Sequence, residues 1–312
     1  MHTYRWDLDK TYLDTDIDSV SGLLRAAVES TTSKRTVPGA GALMRALQRR
    51  KSPCRIVILS GSPEQMRPVI AEKLALDGVR VDSLVLKDNL GNLRKGRLRA
   101  VRGQVGYKLP QLLSLRASES EPSAETLFGD DSEADAAIYA LYADVISGRV
   151  SAEEMERILK AAGAYRDAIS LARGALERLT LCDAVDHIFI HLQPRVAPGT
   201  FGLLGNRVTP VFSWMQAAAL LHLDGRLAPR SLESVALACS RDPQDWAAWL
   251  SDLVRRGLMP ADSGARLFES AGALTAAAES FERRVDRLGG FTAQKPSRQP
   301  DYLGFLHAVR AR

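Results

Sequence analysis

At 312 residues, 46% apolar and 25% charged, the chain can bury a full core and should form one large or two ordinary domains. No apolar run approaches the ~20 residues of a membrane span. No Arg/Lys-led apolar segment stands near Met1, and Cys54, Cys182 and Cys239 are too far apart to suggest a zinc site or a disulfide framework. The expectation is a reduced, cytoplasmic protein whose net charge of +5 gives a mild preference for anionic partners.

The first extended run, residues 3–6, leads into Asp7-Leu8-Asp9-Lys10-Thr11. This sets two carboxylates and a hydroxyl at the carboxyl end of a strand, where open α/β sheets bind ligands. Residues 14–18 read as an acidic, solvated turn leading into an apolar stretch, and a helix is expected over residues 41–49 after Pro38-Gly39. Residues 55–59 (Arg-Ile-Val-Ile-Leu) have the continuous apolar character of a buried parallel strand and end in Ser60-Gly61-Ser62-Pro63. Ser62 is a candidate cap for a helix starting at Pro63 and running to residue 76, with a strand following over residues 79–86.

Residues 89–118 contain seven basic side chains and no acid. A solvated basic face is the simplest account of most of them. Lys108 differs in opening an apolar helical stretch, in which Pro110 fits the first turn. A short strand over residues 126–128 breaks into Gly129-Asp130-Asp131, and Asp135 heads a helix over residues 136–143. Dipole complementation explains Asp135 but not three acids behind a strand.

These motifs, in this order, resemble the haloacid-dehalogenase (HAD) phosphatases. The closer resemblance is to the actin-patch phosphatidate phosphatase catalytic domain and its bacterial relatives. It is carried by residues 7–11, Pro38-Gly39, residues 59–63, Tyr107-Lys108-Leu109 and residues 129–139. The resemblance implies a Rossmannoid parallel sheet flanked by helices, and a phosphoric monoester hydrolase working through an aspartyl-phosphate with Mg²⁺. It makes Asp7 the nucleophile and Asp9 the general acid and base, with Ser60 and Lys108 holding the phosphoryl group; Lys95 and Arg102 are substitutes for Lys108. Thr11, Gly61 and Ser62 would line the substrate site. Asp7, Asp9, Asp130, Asp131 and Asp135 are the candidate metal ligands, with the second outer acid left open between Asp131 and Asp135. Lys10, Gly61 and Asp131-Ser132 depart from the family pattern, which leaves the substrate open.

About forty residues separate the first two motifs, so no large cap is expected, and an open cleft with residues 94–102 as a basic rim favours a bulky, phosphatidate-like phosphomonoester. A small-molecule phosphatase and a catalytically silent binding or regulatory module are the alternatives. Peripheral contact with anionic lipid fits the rim. Nucleic-acid binding does not, since few aromatics interleave with the basic residues.

In the second half, Ser151 and Glu154 have capping-box spacing, and residues 151–180 read as a helical insertion. Residues 186–192 read as a strand and 211–223 as the helix after it, closing a core over residues 1–225. His187 and His191 share one face of that strand with no third ligand, as structural histidines do. Residues 226–312 read as helical. One helix starts at Asp242-Pro243 and another spans residues 264–288, whose apolar seam is expected to pack on the core in preference to self-association. Residues 293–300 read as a linker and 305–312 as a basic tail.

Overall fold

The computed structural model describes residues 1–14, 35–49, 52–88, 103–121, 123–132, 134–193, 196, 198–270, 272–288 and 299–310. The basic rim at 94–102, with Lys95 and Arg102, most of the turn at 14–18, and most of the linker at 293–300 lie outside them.

Six parallel strands form one sheet: β1 (His2–Trp6), β2 (Cys54–Pro63), β3 (Ser83–Lys87), β4 (Ala124–Asp130), β5 (Val185–His191) and β6 (Thr209–Val211). Their order is β3-β2-β1-β4-β5-β6. The chain starts at the centre and first builds outward to one edge. It then crosses to the other side of β1, so the carboxyl end of β1 lies where the direction of winding reverses, a usual ligand position in such sheets.

Both faces are covered, which is why the strands read as apolar runs. Tyr4, Trp6, Ile56, Ile58 and Phe128 face one apolar cluster, formed with helices α1 (Ala40–Gln48), α7 (Trp214–Leu223), α8 (Pro229–Cys239) and α9 (Pro243–Arg255). Leu59, Leu127, Ile188 and Ile190 face another, formed with α3 (Val105–Ala117), α4 (Asp135–Ile146), α5 (Ala152–Ala161) and α6 (Arg166–Leu176). Helix α2 (Arg67–Leu76) connects β2 to β3.

Alternation along β1 places Arg5 on the second face, buried at 1% exposure. Its guanidinium grips Glu125 of β4 at 2.7 and 2.8 Å. Glu125 also accepts from Arg116 of α3 at 2.5 Å and from the Tyr142 hydroxyl of α4 at 2.8 Å. Burial works to raise the Glu125 carboxyl, but Arg5 and Arg116 outweigh it and hold it below the usual carboxylate range. Four elements are thereby tied together beneath their upper ends.

Several local expectations are corrected. The helix after β2 begins as a 3₁₀ turn, Glu64–Met66, and no side chain caps it; the Ser62 hydroxyl goes to Asp9 instead. Helix α3 starts a turn earlier than expected, so Pro110 lies inside it. The third strand is shorter than residues 79–86 suggest, and β6, only three residues with Pro210 in the middle, precedes the helix expected over 211–223. The stretch 264–288 is not one helix. It divides into α10 (Ala261–Ser270), a 3₁₀ segment (Gly272–Ala277) and α11 (Ala278–Asp286). Leu267, Leu274 and Phe281 still bury together with Trp246 and Leu250, so this seam faces the core cluster. The expected tail forms α12 (Tyr302–Arg310), whose Tyr302, Phe305 and Leu306 join the second cluster. Among the described residues no helix is long and apolar enough to cross a membrane.

Candidate active site

The carboxyl ends of β1 and β4 and the starts of α3 and α4 converge on one buried point. Asp7 continues β1 by donating its backbone N–H to the Phe128 carbonyl at 2.8 Å. Asp130 ends β4, and Asp135 opens α4. Asp7, Asp130 and Asp135 each offer a carboxylate oxygen within 4.8 Å of the others, and all three are buried. Gly129 makes this approach possible, since a Cβ there would stand 2.7 Å from Asp135 Oδ2.

Lys108, fully buried one turn into α3, sets its ammonium 2.7 Å from Asp7 Oδ1 and 2.5 Å from Asp135 Oδ1. The Thr11 hydroxyl donates to Asp130 Oδ2 at 3.2 Å, and the Trp214 indole N–H holds the Thr11 carbonyl at 3.2 Å. Burial, and next to it the Asp135 carboxylate, push the Tyr139 phenol well above its ordinary value, so it stays protonated beside the acids.

A second group stands at the end of β2. The Ser60 and Ser62 hydroxyls donate to Asp9 Oδ2 at 3.0 and 2.7 Å, and the Ser62 N–H donates to Ser60 Oγ at 2.9 Å. Asp9 is partly exposed whereas Asp7 is 1% exposed, so solvent meets the site over Asp9. Directly after Asp9, Lys10 has φ 61, the left-handed conformation that turns the chain sharply after β1. Helices α6 and α5 pack on α3 and α4, respectively, α8 packs on α1 and α7, α9 on α7, and α12 on α4.

Asp9 and Asp131, both candidate metal ligands by sequence, stand outside the three-carboxylate cluster. Asp9 is held by the two serines. Asp131 accepts from the Gln193 and Val196 backbone N–H groups at 2.7 and 3.1 Å, fastening the loop after β5. The structure brings Asp135 to Lys108 at 2.5 Å and ties Asp131 to the loop after β5. The histidines of β5 are not brought to a common point: His187 bonds Asp224, and His191 stacks on Trp214 with ring centroids 5.1 Å apart.

Two residues at the site have no counterpart in the sequence reading. Trp214 is one; its signal was an aromatic opening a helix straight after a strand, capped by Ser213. Gln104 is the other, at the N-cap of α3 one turn before Lys108. Its amide lies over Gly61, where a Cβ would stand 2.6 Å from Gln104 Nε2. That contact accounts for a glycine between the two serines.

The donor set fits a divalent cation. Three buried carboxylates whose oxygens lie within 4.8 Å of one another repel, and holding them together in a buried place is costly. A small hard dication relieves that repulsion, and all-oxygen donors suit it.

Residues 6–153 match the family model described as the catalytic domain of phosphatidate phosphatase APP1. No curated protein and no solved structure matches the chain. Residues 6–153, which hold every motif residue from Asp7 to Asp135, are thus similar to the catalytic domain of the APP1 phosphatidate phosphatases.

Proposed function

We propose that the protein is a Mg²⁺-dependent phosphomonoesterase of the HAD type that works through an aspartyl-phosphate on Asp7. The observation that carries this reading is the buried contact of Asp7 with Lys108 beside Asp130 and Asp135, with Asp9 two residues on and between two hydroxyls. Phosphate monoesters hydrolyse so slowly unaided that accelerations on the order of 10²¹ are required. A covalent intermediate divides the barrier into two smaller ones.

On this reading the Lys108 ammonium keeps Asp7 ionised and aligned for attack on phosphorus. Asp9, at the solvent side, hands a proton to the departing alkoxide and then takes one from the water that cleaves the acyl-phosphate. Ser60 and Ser62 turn their hydroxyls to the phosphoryl oxygens, and the close packing of Gln104 on Gly61 fixes the backbone between them. Asp7, Asp130 and Asp135 would hold Mg²⁺, which supplies charge neutralisation for the phosphoryl group. Thr11 orients Asp130, and Asp131 holds the neighbouring loop.

We assign the phosphatase core to residues 1–225 with residues 151–180 as an insertion, and residues 226–312 to a helical region of which α8 to α11 brace one face of the sheet and α12 packs on the other. A phosphatidate-like or other bulky phosphomonoester is the proposed substrate. It is supported by the family resemblance and by an insertion that packs sideways on α3 and α4. We also propose a cytoplasmic location, which the three free cysteines support.

The test is a hydrolysis screen of short-chain phosphatidate beside sugar and nucleotide monophosphates, using the wild type and the Asp7→Asn and Asp9→Asn variants. Each variant should lose at least about a hundredfold in turnover, the lower range for a positioned proton-transfer group. Full activity in Asp7→Asn excludes the mechanism, and a small soluble phosphate as best substrate excludes the substrate class.

A further inference from the structure

On the sheet face opposite α3 and α4, helices α1 and α8 pack side by side and enclose a groove of about 350 Å³. Arg45, Arg49 and Arg230 line it, together with Ser231, Ser234 and small alanines such as Ala46; the Ser234 hydroxyl donates to the Arg230 carbonyl at 2.9 Å. No carboxylate is among the described lining residues. Arg45 donates to the Asp77 backbone carbonyl at 2.5 Å, while the Asp77 carboxylate is taken by Lys73, Tyr12 and Thr36. Arg49 and Arg230 make no ion pair among the described residues and are exposed.

Arg5, Arg149, Arg157 and Arg255 pair with Glu125, Asp183, Glu154 and Asp252; what sets the groove apart is that three arginines line one concavity whose described lining holds no acid. Three guanidinium groups around one concavity repel one another unless an anion lies between them. A single carboxylate would leave most of that charge uncompensated. A tetrahedral dianion with several acceptor oxygens matches both the charge and the donors, because guanidinium forks and hydroxyls suit phosphate oxygens. The volume lies at the lower end for small-ligand sites.

The groove is remote from the carboxylates. The last turn of α1 lies against the start of β2, with Cys54 Sγ 3.5 Å from the Leu47 carbonyl. Just before α8, Arg226 contacts His2 at the start of β1 at 2.9 Å. The Arg49 and Arg230 end therefore faces the amino ends of the strands, and Asp7 the carboxyl ends. Five residues of β1 alone separate these levels by ~16 Å.

We propose that the α1/α8 groove is a second anion site that binds a phosphate monoester group, distinct from the Asp7 site. The group comes either free in solution or on a lipid head group. The test compares the wild type with an Arg49→Gln, Arg230→Gln double variant. Both side chains are exposed and outside the catalytic cluster, so hydrolysis of a soluble phosphomonoester should be unchanged.

In one arm inorganic phosphate is titrated at ionic strength matched with chloride, and the Ser231 and Ser234 amide resonances are followed. In the other the protein is sedimented with phosphatidylcholine vesicles containing phosphatidate, or phosphatidylserine at equal surface charge. Saturable shifts weakened about tenfold or more in the double variant establish a site for free phosphate. Sedimentation with phosphatidate vesicles in preference to phosphatidylserine ones, lost in the double variant, establishes the lipid-borne group. Failure of both signals in the wild type, equal capture by the two anionic lipids without a phosphate titration, or a double variant that behaves as the wild type overturns the proposal.

Discussion

Lys108 Nζ lies 2.7 Å from Asp7 Oδ1, joining residues 101 positions apart in a place where neither side chain meets water. The same ammonium reaches Asp135, so one cation joins two carboxylates of the buried cluster.

Removing that cation should therefore make the protein depend on metal for stability as well as activity. Lys108→Met is expected to lose on the order of 3–5 kcal/mol in the presence of chelator, as when a buried charge loses its partner. In the wild type, Mg²⁺ at a hundredfold excess over its Kd should add about 2.7 kcal/mol through preferential binding to the folded state, and excess chelator should abolish turnover. Thermal unfolding of both proteins with and without Mg²⁺ measures this; a wild-type Tm indifferent to Mg²⁺, with full activity in chelator, is the opposing result.

Glu125 joins the same four elements that deliver the site residues. Arg5 lies on β1 below Asp7, Glu125 on β4 below Asp130, Arg116 on α3 below Lys108 and Tyr142 on α4 below Asp135. Glu125→Gln leaves two buried guanidinium groups opposed by Glu119 alone and should cost about 3–5 kcal/mol. Urea titration checks the magnitude. A loss under 1 kcal/mol would mean the network adds little to the frame.

His191 predicts the acid side of the stability profile. Burial against Trp214 lowers its imidazole from the ordinary 6.5 to about 4. The unfolded chain takes up a proton near 6.5 that the folded protein refuses until about 4. Stability from this group is thus full above 6.5 and lost as pH falls between the two values, by about 3 kcal/mol in total. Unfolding free energies from pH 7 to 4 should show this decline. In His191→Phe, which keeps a ring against Trp214, that part of the slope should vanish; an unchanged slope assigns it to other groups.

How much was legible in advance follows from which contacts are local. Asp7, Asp130 and Asp135 each stand at a strand end or a helix start written in a few neighbouring side chains, whereas Ser60 lies inside β2 and Lys108 three residues into α3, near those boundaries but not at them. The partner of Ser62 was not legible, because a helix cap is a local choice whereas Asp9 lies 53 positions away. Asp131 and Asp135 look equivalent in sequence; only the loop after β5, which claims Asp131 through Gln193 and Val196, separates them. The Arg5 to Glu125 pair spans 120 positions with nothing local to signal it. β6 carries too few residues for a period, and the regular spacing from Leu267 to Leu288 concealed a break, since a 3₁₀ turn and two short helices keep Leu267, Leu274 and Phe281 facing one way.

The central claim is that Asp7 takes the phosphoryl group. Rapid acid quench of the wild type during turnover, followed by mass spectrometry of the peptide that contains residues 6–13, tests it most directly. The account predicts one added phosphoryl group on Asp7, accumulating further in Asp9→Asn, where the hydrolysis step lacks its base, and none in Asp7→Asn. Turnover without any phosphorylated peptide, or with the phosphoryl group on another residue, would contradict it.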